Sequence, residues 1–145
     1  MTSPELVALA NLERIGKLKA EAPDAKERAG LLRSATVRLQ DARQPILSLE
    51  SRFDLAYNAA HAAALSALRA HGYRSDNRYL VFQCLEHTLG FTPKQWRLLD
   101  QAHKKRNLAE YEGDLDVTAS FVDELIEQAA ILIAAAQALK TTTST

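Results

Sequence analysis

From Pro45 to Gly72 the chain runs without an internal proline or glycine, and the stretch "LAYNAAHAAALSAL" (Leu55–Leu68) inside it is dense in alanine. Proline suits the first turn of a helix, glycine the left-handed turn that ends one, and alanine is the strongest helix former between them. One long helix from Pro45 to His71 is therefore predicted. Its small side chains let neighbouring helices approach closely, which places it at the centre of a bundle.

The remaining segments are read around that helix. Ser3, Pro4 and Glu5 open a first helix that ends before Pro23, with Leu6, Leu9, Leu12, Ile15 and Leu18 as its apolar stripe. A second, Asp24 to Ala42, has Leu32 and Leu39 set among Lys26, Arg28, Arg33 and Arg38. So weak an apolar face predicts a peripheral position. Ser75 or Asp76 caps a fourth helix that runs to Leu89, with Tyr79, Phe82 and Leu85 turned inward. "TPKQ" (Thr92–Gln95) has the form of a reciprocal capping box and starts a fifth helix burying Trp96, Leu99 and Ala102. After a turn at Gly113 and Asp114, a last helix from Thr118 to Lys140 aligns Phe121, Leu125, Leu132 and Leu139. No segment reads as a strand. The fold class is all-α, an up-down antiparallel bundle of about six helices. Residues 1–44 form an N-terminal helical extension, 45–140 the bundle, and 141–145 a disordered tail.

At 145 residues the chain fits one domain. No apolar run approaches the ~18 residues of a membrane span, and the N-terminus has no signal pattern, so a cytoplasmic location is expected. Cys84 is the single cysteine, which fits a reducing compartment and reads as buried filler. Glu86-His87 lacks a second nearby histidine, and His61 and His71 are not at ligand spacing. No bound metal and no cofactor are expected. There is also no Gly-rich phosphate loop and no nucleophile elbow.

The net charge is zero, but residues 1–107 hold 17 Lys+Arg against 11 Asp+Glu, and residues 108–145 hold one Lys against seven Asp+Glu. The sign changes inside "KKRNLAEYEG" (Lys104–Gly113). Either an acidic last helix neutralises basic neighbours, or a local positive patch meets phosphate. If the fifth helix continues through Tyr111, then His103, Asn107 and Tyr111 share a face at steps of four, flanked by Arg106 and Glu110. Arg106 is the principal phosphate ligand on this reading, with Lys105 beside it, because the arginine fork donates two parallel bonds and keeps its charge. On the long helix, Glu50, Asp54, Asn58 and His61 form a polar stripe. That stripe is either a solvated face or a support that orients Arg106 across a groove.

Three features in order resemble the HEPN domains: the helix "SRFDLAYNAAHAAALSALRAHGY", the segment "YLVFQCLEHTLG", and "RN" at Arg106-Asn107. The resemblance spans about Pro45 to Leu139. It implies a small, commonly dimeric all-α bundle. Many members are metal-independent ribonucleases whose two R-x-x-x-x-H motifs meet across the dimer; others bind RNA or nucleotides, or pair with a nucleotidyltransferase in toxin-antitoxin and phage-defence systems. Arg106 and Asn107 match the motif, and Tyr111 stands where its histidine is expected. Tyrosine, with a pKa near ~10, starts about 4 kcal/mol behind as a general base at pH 7. His103 is the candidate replacement imidazole. Gly113 takes the place of the tyrosine that can be adenylylated, so that mark does not carry over. Three functions stay open: an RNA- or nucleotide-binding dimer with weak or absent nuclease activity, an active ribonuclease, and a helical protein-interaction module.

Overall fold

The computed structural model describes residues 3–139 and is an all-α bundle. Its helices are α1 (Pro4–Arg14), α2 (Ala25–Ala42), α3 (Leu49–Ala70), α4 (Arg78–Gln83), α5 (Leu85–Thr88), α6 (Pro93–Glu112) and α7 (Ala119–Ala138). Lys140 and the tail expected at 141–145 lie outside the described residues. No helix among those described is long and apolar enough to cross a membrane.

Local signals account for most helix starts. Side chains of Ser3, Asp24, Ser48, Asn77, Thr92 and Thr118 each accept a first-turn backbone N–H that has no partner within the helix. The capping box of Thr92 and Gln95 is reciprocal, as expected. Asn77 caps the fourth segment in place of Ser75 or Asp76, and Ser48 moves the start of α3 four residues beyond Pro45 to Leu49. The fourth segment is also broken at Cys84 into α4 and α5. Phe82 and Leu85 point inward there, whereas Tyr79 is exposed and Val81 is buried.

The first helix stops early. Gly16 adopts a φ of 82°, a conformation glycine enters freely, and the chain leaves α1 well before Pro23. Residues β1 (Lys19–Ala20) and β2 (Tyr73–Arg74) then pair antiparallel, a short ladder that the helical periodicity does not announce. Ile15 is consequently exposed, while Leu18 still reaches the core.

The alanine-rich α3 is central. Ala56, Ala59, Ala60, Ala63 and Ala67 are fully buried, and α3 packs most extensively on α2 and then on α7. This corrects the peripheral place expected for α2, whose Ala35, Leu39 and Ala42 belong to the same core. A narrow apolar face suffices because alanine on the facing helix brings the two backbones close. Arg28 of α2 also donates to the Ala136 and Leu139 carbonyls at the end of α7. Replacing the fully buried Ala60 with leucine is expected to overpack the core around α3 and cost about 1–3 kcal/mol, read from the urea midpoint. Cys84 is buried, and burial pushes its thiol up to about 11.

One charged group lies deep in the structure. Arg69, near the end of α3, is 1% exposed. Its guanidinium donates to Glu27 Oε1 at 2.6 Å, to the Glu21 carbonyl at 2.8 Å and to the Ala22 carbonyl at 2.7 Å. Arg74 of β2 meets the same Glu21 and Glu27 carboxylates. Together they fasten the β1–α2 corner to the central helix.

Candidate functional site

Between α3 and α6 lies a cleft of roughly 300 Å³ lined by Glu50, Asp54, Arg106 and Glu110, with Phe53 and Leu115 as apolar walls. Glu50 and Asp54 of the α3 stripe line this cleft together with Arg106, but among the described residues neither carboxylate is within ion-pair distance of its guanidinium. Arg106 bonds Glu110 one turn along its own helix at 3.1 Å, and about a quarter of its side chain remains exposed.

While bonded to Glu110, Arg106 also joins a second group. Its guanidinium carbon stands 5.3 Å from the centre of the Tyr57 ring. Arg78, the first residue of α4, places its own guanidinium 5.6 Å from the same ring. Two cations converge on one aromatic ring, an attractive arrangement for each of them. Arg78 also donates to Asn58 Oδ1 at 3.1 Å, and Asn58 is braced by the Asp54 carbonyl. Among the described residues Arg78 has no carboxylate within ion-pair distance. Tyr57 is buried, and burial raises the pKa of its phenol against the opposing pull of Arg78 and Arg106.

The imidazoles complete the cluster. Asn107 Nδ2 lies 3.1 Å from His103 Nε2, and His103 Nδ1 lies 3.0 Å from the Tyr57 hydroxyl. An amide nitrogen only donates, so Nε2 accepts and the proton rests on Nδ1, which donates to Tyr57. Burial, opposed by Asp100 but reinforced by Arg106 and Arg78, holds the His103 pKa below the ordinary range. His61 packs edge-on against Phe82. Burial, with Arg78, Arg106 and His103 adding to it, lowers its pKa to about 4.

His61 is therefore neutral at pH 7, and its ring protons in an NMR titration should move near pH 4 rather than near the ordinary ~6.5. The unfolded chain takes up this proton first as pH falls. The stability linked to a neutral His61 is thus full above about pH 6.5 and declines towards about pH 4.

The other expected site residues lie apart from this cluster. Lys105 donates to the Asp116 carbonyl at 3.0 Å and sits 5.2 Å from the Phe121 ring centre. It secures the α6–α7 connection and does not stand beside Arg106 as a second phosphate ligand, because adjacent helix positions diverge by about 100°. Tyr111 is 93% exposed, near the end of α6. The helix does carry His103, Asn107 and Tyr111 along one side, but only the first two are hydrogen-bonded together.

Tyr57 and Arg78 were not singled out by the sequence. Tyr57 had a trace, since Phe53, Tyr57 and His61 repeat at steps of four. Arg78 had none, because the turn after β2 sets its position. Comparison with family models, curated proteins and solved structures finds no match. The chemistry of these side chains is therefore the basis for any activity.

Proposed function

We propose that this protein is a HEPN-like dimer that binds RNA or nucleotide phosphate through Arg106 and Arg78, with weak or absent nuclease activity. The observation that carries this reading is the convergence of two guanidiniums on Tyr57, one of them with no carboxylate partner among the described residues. Arg106 gives one terminal nitrogen to Glu110 and Arg78 gives one to Asn58, and the remaining N–H groups of each planar fork are the ones that can meet a phosphate oxygen. Asn107, exposed beside His103, adds a neutral hydrogen-bonding group. Glu50, Asp54 and Glu110 repel phosphate from the cleft, so the backbone of a bound strand lies on the Arg78 side of Arg106.

The same geometry disfavours the ribonuclease reading. Both His103 nitrogens have side-chain partners within the chain, so taking a 2′-hydroxyl proton requires the exposed Asn107 contact to open first. Tyr111 carries the penalty of a phenol acting as a base at neutral pH. Purified protein incubated with total RNA in the presence of chelator should leave it intact while retarding it in a gel. Cleavage that disappears with Arg106→Ala would establish the ribonuclease instead. The Arg106–Glu110 bond favours the third reading, a plain helical interaction module, in which that same change alters no RNA binding.

Dimerisation belongs to this proposal. The buried α3 alanines are used within the monomer and are not free to form a seam. Leu108 and Tyr111 are exposed near the C-terminal end of α6, and a second copy covering that end of the helix would bury them. A cytoplasmic toxin-antitoxin or phage-defence setting, with a nucleotidyltransferase as partner, is the context in which such a dimer would act.

A further inference from the structure

Tyr79 is the exposed aromatic side chain in the cluster around the two guanidiniums. We infer that it is a stacking platform for an unpaired nucleobase, so that the ligand is a phosphate with an unpaired base beside it rather than a bare phosphate or a duplex. This rests on the phosphate-binding reading and deepens it, because arginines on phosphate carry no information about a base.

The residue order of α4 sets the place of this ring. Arg78 and Tyr79 are adjacent, and adjacent side chains on a helix diverge by about 100°. Arg78 turns onto the Tyr57 ring, Tyr79 stays open to solvent, and Val81 takes the inward position. One exposed aromatic is ordinary on a protein surface. What sets Tyr79 apart is that it is held at two points. Its ring centre lies 6.1 Å from that of His103, tilted by 41°. One turn along α4, Gln83 Nε2 donates to its hydroxyl at 3.1 Å. His103 in turn has its ring centre 6.4 Å from that of Tyr57, at 21°, and shares a hydrogen bond with the Tyr57 hydroxyl. The rings thus run in series from buried Tyr57, where both guanidiniums meet, through His103 to exposed Tyr79.

That series places an open aromatic surface one imidazole away from the phosphate ligands. Arg78 has no carboxylate within ion-pair distance among the described residues, and it immediately precedes Tyr79 in the chain. A phosphate at Arg78 can therefore carry its own base onto the ring. Every base has a π-face, so such a contact tolerates sequence while demanding that the base be unpaired. In a duplex the bases are already covered by their neighbours and only the backbone would meet the arginines. A ring fixed by His103 and Gln83 also loses little freedom when a base covers it, which keeps the cost of binding small.

The test measures fluorescence anisotropy on the full chain with the hexanucleotide UUUUUU and with a hexamer of the same sugar-phosphate backbone that carries no bases. The strand with bases is expected to bind about tenfold tighter, the size of a base–aromatic stack. Tyr79→Ala should lower affinity for UUUUUU to that of the abasic hexamer, whereas Tyr79→Phe, which keeps the ring, should retain the preference. Tyr79→Leu keeps apolar bulk without a π-face and serves in place of alanine if that variant does not fold. Uridine 5′-monophosphate and ribose 5-phosphate, run as competitors, locate the source: a preference between these two marks a free nucleotide as ligand, and one seen only between the hexamers marks a strand. Failure of the unaltered protein to prefer the base-bearing member of either pair overturns the platform and leaves phosphate binding standing. A preference that survives in folded Tyr79→Ala or Tyr79→Leu overturns the assignment to Tyr79. Binding of none of the four probes overturns both readings.

Discussion

Replacing Arg78 and Arg106 together with alanine is expected to weaken binding of a short single-stranded RNA by a hundredfold or more. Hydrogen bonds to charged groups contribute about 1.5–3 kcal/mol each, so two guanidiniums removed from phosphate correspond to about 3–6 kcal/mol. The slope of log affinity against log salt should fall by about 0.7 for each phosphate that is no longer neutralised. Arg33 and Arg38, exposed on α2 and not among the hydrogen-bond or ring partners of Tyr57, provide the control: changing both to alanine removes the same charge outside the cluster. If that pair costs as much affinity, attraction is diffuse and the two-arginine site is wrong. Stability is expected to fall as well, because both side chains pack on the Tyr57 ring and Arg78 also bonds Asn58. Loss of binding is therefore assigned to the site only where circular dichroism shows that the variant is folded at the temperature of the assay.

The largest effect on stability is expected at Arg69. Arg69→Met keeps much of the side-chain volume but removes the Arg69 hydrogen bonds to Glu27 and to the Glu21 and Ala22 carbonyls. Breaking a buried pair from one side costs about 3–5 kcal/mol, since the partners are left without compensation. Arg74 still meets Glu21 and Glu27, which places the result toward the lower end. Urea unfolding followed by circular dichroism measures it. The pH dependence has a definite sign. Hydrogen bonds from Arg69, then Arg74, hold the Glu27 carboxyl below its ordinary range in the folded state. The stability this supplies is present above the unfolded carboxylate pKa of about 4.3 and is lost as pH falls through the lower folded value. Arg69→Met should flatten that acid limb. An unchanged urea midpoint at neutral pH would show that the β1–α2 corner is held by packing alone.

Near-neighbour chemistry was legible along the chain. Thr92 and Gln95 specify a capping box whatever surrounds them, and the alanine run of α3 announces a helix that others approach closely. The pairing of Arg106 with Glu110 and of His103 with Asn107 follows from four-residue spacing on one helix. For the same reason Arg106 and the Glu50–Asp54 stripe stand out in the sequence as candidate site residues. Such signals depend on neighbours within one or two turns, and those neighbours are fixed by covalent connection.

What the tertiary structure alone decided involves residues far apart in the chain. Arg69 looks like any arginine near a helix end, yet β1 and α2 fold over it and make it a buried anchor. The α2 helix looks peripheral from its own residues and is central because α3 presents alanine to it. Tyr57 becomes the meeting point of Arg78 and Arg106 only when α4 and α6 are brought against α3, and Lys105 is turned away by the helical rotation of one position. Burial and charge at a point depend on everything packed around it, and that sum is made by the fold rather than by any local stretch of sequence.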